Sequence, residues 1–206
     1  MIWADKRSGG DLWHCLRRRG KKYNRRGAQH AGRGVIPHRI DIAERPAIVA
    51  AKARLGDWEG DTIVGTRHQG GLLTHVERKS LFTTISKLSR PPAQATHRAT
   101  VQRLKPLRTH VHTITYDNGK EFAGHRATAQ ILRAQVFFAT PYHAGERGVN
   151  EHTNGLIRDF FPKGTDFSTI HPATVAKVER LLNRRPRKSL GFNTPNEVFH
   201  ALAKRG

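Results

Sequence analysis

Cysteine is nearly missing: Cys15 stands alone among 206 residues. That excludes a disulfide framework and a cysteine-rich zinc module. The thirteen histidines do not restore one, because no histidine pair sits at ligand spacing beside a cysteine pair. No run of about twenty apolar residues exists, so no membrane-spanning helix is expected. The N-terminus also lacks the basic, then apolar, then small-residue order of a secretory signal. Together these absences predict an intracellular, cytoplasmic chain without a membrane partner. Acidic residues are scarce as well, 16 against 37 Lys and Arg, for a formal charge of +21. A surface so short of negative charge attracts polyanions, nucleic acid above all. Charge alone does not separate an enzyme from a ribosomal or chromatin-type packing protein. With 36% hydrophobic residues the chain supports a core, and its length suits one domain with flanking segments.

Three segments differ in texture. Residues 1–45 carry Arg17-Arg18-Arg19, Lys21-Lys22 and Arg25-Arg26 between glycines and offer little to bury, which predicts a basic, largely irregular arm. Residues 46–168 read as a mixed α/β core. A short helix at Ala47 to Ala53 precedes three extended runs, Trp58 to Val64, Leu72 to Glu77 and Leu81 to Leu88, spaced as an antiparallel meander. Pro91-Pro92 opens a helix to about Leu107, then come a strand at Val111 to Tyr116, a helix at Glu121 to Arg133 and a strand at Gln135 to Ala139. A helix over Gly148 to Phe161 ends this core. Residues 169–206 are predicted as a helical extension, Pro172 to Asn183 and then a helix capped by Thr194-Pro195-Asn196-Glu197.

In an acid-poor chain, carboxylates at strand and helix ends are informative. Asp61 lies in the otherwise apolar run Trp58-Glu59-Gly60-Asp61-Thr62-Ile63-Val64, where an ionised group is costly unless paired. Asp57 and Glu59 share its strand face, so this run alone leaves the choice among the three open. Asp117 falls where a short strand ends, but Asp117-Asn118-Gly119 is also ordinary turn chemistry. On the helix from Gly148, the residues Val149, Leu156, Ile157 and Phe160 form an apolar face. Glu151, Asn154, Gly155 and Arg158 line the opposite one, as a DNA-facing stripe or a merely solvated face.

Taken together, the three segments resemble the integrase catalytic core shared by retroviral integrases and bacterial Asp-Asp-Glu transposases. The residues are Trp58 and Asp61; Asp117, Asn118, Gly119 and Phe122; and Pro141, Tyr142, Gly148, Glu151 and Asn154. More closely, the chain is similar to insertion-sequence transposases of the "IS thirty" family. The similarity runs through Ala4-Asp5-Lys6-Arg7, Gly9-Gly10-Asp11-Leu12-Trp13, Gly56 to Asp61, Val76 to Ser80, Phe161 to Asp166, Asn183 to Lys188 and Thr194 to Phe199. It implies an RNase H-like fold, a mixed five-stranded sheet flanked by helices, and it selects Asp61 over Asp57 and Glu59. It further implies that Asp61, Asp117 and Glu151 are the catalytic residues and hold two Mg²⁺ (or Mn²⁺) ions.

The expected activity is phosphodiester cleavage and strand transfer, with transposon ends and target DNA as partners, in a homo-oligomer at the bacterial nucleoid. Asn154, Arg158 and Lys163 are expected to guide the DNA backbone. Arg17, Arg18, Arg19, Lys21, Lys22, Arg184, Arg185, Arg187 and Lys188 are expected to add phosphate contacts. Family members carry a helix-turn-helix domain before this point, and the chain is expected to lack it. His143-Ala144-Gly145-Glu146 also replaces the family's Pro-Trp-Gln before Arg147-Gly148. A transposase remnant that binds DNA without cutting and an RNase H-like nuclease are the alternatives.

Overall fold

The computed structural model describes residues 2–15, 36–89, 93–140 and 144–205. Contacts divide the chain into two compact units, 1–31 and 32–206. In the first, α1 (Ile2–Arg7) precedes a 3₁₀ turn, Leu12–Cys15, where the sequence texture predicts irregular chain. Local bonding explains the order. The Asp5 carboxylate accepts the Leu12 N–H at 3.0 Å, and the Lys6 Nζ stands 3.8 Å from the Trp13 ring centre and 5.7 Å from that of Trp3. Such cation–π contacts hold best where water is partly displaced. Gly10 makes the turn possible, since a Cβ there would lie 2.2 Å from Asp5 Oδ1.

The second unit is built on a five-stranded sheet in the order β3-β2-β1-β4-β5. Strands β1 (Asp57–Val64), β2 (Gly71–Glu77) and β3 (Thr83–Leu88) form the antiparallel meander; β4 (Thr113–Tyr116) and β5 (Gln135–Phe138) run parallel to β1. Among its described residues this unit has the helices α2 (Ala47–Ala50), α3 (Ala93–Leu104), α4 (His125–Leu132), α5 (Gly148–Phe160), α6 (Pro172–Asn183) and α7 (Pro195–Ala203). Side chains alternate across a strand, and the core divides accordingly. Leu73, Trp58 and Ile114 join Leu104, Leu132 and Phe199 in one cluster. Leu72, Ile63 and Ile85 join Ile157, Phe167, Val175 and Leu182 in the other. The sheet is therefore covered on both faces, by α3, α4 and α7 on one and by α5 and α6 on the other.

Some boundaries move for physical reasons. The helix expected to reach Leu107 ends at Leu104 and tightens into a 3₁₀ segment, Lys105–His110, with Pro106 near its start. The single helix expected over Glu121 to Arg133 is a 3₁₀ turn, Lys120–Phe122, and then α4, with Gly124 at the break. Residues 36–45 lie on the core. Ile36 is buried, Asp41 bridges to Phe138, and Arg45 donates to Thr115 Oγ1 at 3.0 Å. The C-terminal helices are equally integral. Asn183 bonds the Thr83 backbone in both directions, at 2.9 and 2.7 Å, and Phe199 packs against Trp58 and Phe82.

Candidate active site

Register alone brings the first two acids level. Glu59 of β1 pairs with Thr115 of the parallel strand β4. Two residues further on stand Asp61, still within β1, and Asp117, just past the end of β4. Neighbouring strands lie about 4.8 Å apart, so the two carboxylates meet at the carboxyl end of β4, where the sheet opens. Gly60 permits the approach: a Cβ there would lie 2.2 Å from the Tyr116 ring.

The three acids on this face of β1 have different fates. Asp57 is fully buried and doubly bonded by Arg54, at 3.0 Å to each oxygen, with Thr113 Oγ1 donating at 2.8 Å. Glu59 is also fully buried. It pairs with Arg78 at 3.1 Å and accepts the Asn150 N–H at 2.8 Å. Burial pushes its pKa up, against the backbone bond and the nearby arginines. Both side chains are committed to holding β1 against its surroundings. Asp61 faces Asp117 instead, with which it shares Arg147.

Asp61 accepts the Thr62 N–H at 2.8 Å with Oδ1 and the Asn154 Nδ2–H at 2.9 Å with Oδ2. Its pKa is pushed up to about 6, chiefly by burial, with Asp117 and Glu121 adding like-charge repulsion and Arg147 opposing it. Asp117 is both turn residue and site residue. Its Oδ1 accepts the Gly119 N–H at 2.9 Å, the turn expected from Asp-Asn-Gly. Its Oδ2 points the other way, to Arg147. Asn118 anchors this turn by donating to the Ala139 carbonyl at 2.7 Å and accepting from Arg39.

Arg147 was not anticipated as a site residue. Its guanidinium stands between the two acids, 3.6 Å from Asp61 Oδ2 and 3.9 Å from Asp117 Oδ2, and donates to the Gly60 carbonyl at 3.3 Å. The only signal in the sequence is its place one residue before Gly148 of α5. Glu121 is a second unanticipated member. Its Oε1 accepts from Thr62 Oγ1 at 2.7 Å, beside Asp61, and its carboxylate lies where a Cβ on Gly119 would meet it at 2.5 Å.

Glu151 is exposed on the first turn of α5. Among the described residues nothing bonds to it, and no three His, Cys, Asp or Glu groups stand close enough to hold a metal ion together. The structure therefore joins Asp61 to Asp117 and leaves Glu151 on the adjoining helix.

Of the stripe expected to face DNA, Glu151 is exposed while Asn154, Gly155 and Arg158 are partly buried. Asn154 is spent on Asp61 and Thr74. Arg158 donates to the carbonyls of Val64 at 3.2 Å and Pro162 at 3.3 Å. The buried side of α5 is Asn150, Thr153, Leu156 and Ile157, while Phe160, expected in the apolar face, is 44% exposed. The helix is rotated this way because Asn150 and Asn154 bond the polar face of β1 and β2. Lys163, Arg184, Arg185 and Lys188 are exposed. Arg187 is half-buried and donates to the Leu182 carbonyl at 3.2 Å. Arg17, Arg18, Arg19, Lys21, Lys22, Pro141 and Tyr142 lie outside the described residues.

No protein-family model matches the chain. A transposase for insertion sequence element IS4351 from Bacteroides fragilis is 50% identical over 201 residues, 98% of this chain and 62% of that protein. Transposase InsI for insertion sequence element IS30A from Escherichia coli K12 is 33% identical over 192 residues, 92% of this chain and 50% of that protein. The chain thus spans between half and two thirds of the length of these relatives. Among solved structures, the catalytic core domain of BIV integrase superposes with a TM-score of 0.55 at 20% identity, over 70% of this chain and 93% of that one. The HTLV-2 integrase catalytic core domain in complex with magnesium does so with a TM-score of 0.56 at 19% identity, over 71% and 97%. Likeness at this level of identity establishes the fold, an RNase H-like α/β core. No helix among the described residues is long and apolar enough to cross a membrane. The chain is thus similar in sequence to insertion-sequence transposases, IS30-type elements among them, and shares the fold of retroviral integrase catalytic cores.

Proposed function

We propose that the chain is the catalytic domain of a transposase that cuts insertion-sequence ends and joins them to target DNA, with Asp61, Asp117 and Glu151 holding divalent cations. The observation that carries this reading is the level pair Asp61 and Asp117 at the open end of the sheet, already sharing one positive group. Partly buried carboxylate oxygens of like charge favour a hard divalent cation such as Mg²⁺. A cationic guanidinium standing between them supports the fit. Divalent cations there would supply charge neutralisation at the attacking and leaving oxygens of a phosphodiester.

The chain's own residues prepare that site. Asn154 and the Thr62 N–H fix the Asp61 carboxylate in one orientation. The Gly119 N–H fixes Asp117 through its other oxygen and so leaves Oδ2 available. Glu151 completes the ligand set from the first turn of α5, where the helix dipole favours negative charge. Arg147 occupies the space between Asp61 and Asp117 that cations would take, and its guanidinium, if released from them, would suit a DNA phosphate. Exposed Lys163, Arg184, Arg185 and Lys188, with the basic stretch at 17–22, supply backbone contacts, and pairing two DNA ends calls for more than one copy.

Incubation with a labelled duplex carrying the element's ends and Mg²⁺ or Mn²⁺ tests this reading. Loss of a metal ligand exceeds the ten- to hundredfold cost of losing a supporting residue, so Asp117→Asn should cut more than about a hundredfold more slowly. Equal cutting by both proteins would end the catalytic assignment.

A further inference from the structure

Between α6 and α7 the chain makes a short loop with two costly features. After Arg184, Arg185 and Pro186 it turns through a 3₁₀ segment, Lys188–Leu190, and then places Gly191 and Phe192 in succession at φ +60° and +65°. Glycine adopts this region freely; an aromatic side chain does so only when its surroundings impose it. The imposition is visible. Arg187 N–H donates to the Asn193 carbonyl at 3.0 Å, Phe192 N–H donates back to the Arg187 carbonyl at 2.9 Å, and Asn193 N–H donates to the Leu190 carbonyl at 3.1 Å. One foot is clamped by Arg187 on the Leu182 carbonyl, the other by the capping box of Thr194 and Glu197.

What this clamped loop presents is Phe192, 71% exposed and the most exposed large apolar side chain among the described residues. A glycine at 192 would remove both the backbone strain and the apolar exposure. Neither feature serves the fold. Residues 184–192 also hold four basic side chains and no acid, with Arg184, Arg185 and Lys188 exposed. A clamped, exposed aromatic on a loop that also carries exposed cations suits a polyanion with flat apolar groups between its charges. That is nucleic acid, where phosphates pair with the cations and a base offers its face to the ring.

We propose that this loop is a DNA wedge: Arg184, Arg185 and Lys188 seat it on phosphates, and Phe192 stacks on or between bases. The inference rests on the reading of the chain as a DNA-acting protein and adds a non-ionic contact to it. Apolar side chains inserted at base steps unstack and bend a duplex, which suits an enzyme that must expose a phosphodiester.

The test uses fluorescence anisotropy with a labelled duplex across a salt series, on the full chain. Phe192→Gly should raise the thermal midpoint by relieving the left-handed conformation, yet weaken DNA binding about tenfold, within the range of a lost base stack. Its log–log salt slope should match the wild type, because no charge is lost. Arg185→Gln should instead make the slope shallower by about 1. A duplex carrying 2-aminopurine should brighten on binding wild type and not Phe192→Gly. Equal affinity of wild type and Phe192→Gly overturns the wedge alone. Loss of self-association in Phe192→Gly by sedimentation, with DNA affinity retained, also overturns it and assigns the loop to a contact between copies. Failure of wild type to bind DNA overturns the parent reading as well.

Discussion

Arg147 reaches both Asp61 and Asp117, and the energetics of that bridge set the behaviour of the site without metal. Two carboxylates this close repel one another, and burial adds to the cost of ionising Asp61. The guanidinium offsets both. A divalent cation must therefore displace it, and its removal should favour the ion. Arg147→Gln is expected to bind Mn²⁺ about tenfold more tightly in the absence of DNA, since one or two partly exposed ion pairs are worth about 1 kcal/mol. Titration calorimetry reads this directly, and weaker or unchanged binding would show that Arg147 does not compete for the site. Legibility at this scale was uneven. Asp61 and Asp117 were singled out by the resemblance to integrase cores, because patterning alone left Asp61 among three acids on one strand face and Asp117 equally a turn residue. Arg147 and Glu121 were not, because their partners lie 86 and 59 residues away in the chain. The committed fates of Asp57 and Glu59 were hidden for the same reason: Arg54, Thr113, Arg78 and Asn150 come together only once the sheet forms.

Elements followed the sequence where local chemistry is decisive. The capping box at Thr194 and Glu197 is present as expected, with Glu197 N–H donating to Thr194 Oγ1 at 3.2 Å and Thr194 N–H donating to Glu197 Oε2 at 2.8 Å. This cap holds the start of α7, whose Phe199 is 1% exposed and stacks on Phe82 at 4.4 Å. Thr194→Ala should therefore cost about 1 kcal/mol, the usual worth of such a cap, read as a lower denaturant midpoint with an unchanged slope. A value near zero would mean that Phe199 alone fixes α7. Elements departed from the sequence where tertiary polarity overrides periodicity. In α5 the apolar pattern predicts a Val149–Phe160 face, yet Asn150 and Thr153 are buried and Phe160 is exposed. Polar partners at the end of β1 and on β2 turned the helix. A hydrophobic pattern cannot register a buried face that is partly polar.

At the scale of the whole molecule, the sheet order follows from the meander and the parallel addition of β4 and β5; the resemblance to integrase cores implied a mixed five-stranded sheet and no more than that. Acid stability is a property of the same whole, because buried ionisable groups of opposite tendency are distributed across it. His75 in β2 is fully buried beside Tyr116 Oη at 3.2 Å, and burial pushes its pKa down to about 3. In the unfolded chain it takes a proton near pH 6.5. Between these values the unfolded state binds more protons, so His75 lowers stability as pH falls, by up to about 1.4 kcal/mol per unit. Asp61 acts in the opposite sense. With a folded pKa of about 6 against 3.8, the folded state binds the extra proton between those values, and acidification there favours the fold. The two groups oppose each other from about pH 6 to 4. Removing one should expose the other. His75→Gln keeps a donor and an acceptor for Tyr116 and Thr100 but has nothing to titrate. Its stability relative to wild type should therefore rise by about 2–3 kcal/mol from pH 6 to pH 4. Parallel urea titrations at the two pH values measure that difference, and the carboxylates common to both proteins cancel from it. A difference that stays constant with pH would mean that His75 accepts its proton in the folded chain, and hence that water reaches the centre of the sheet.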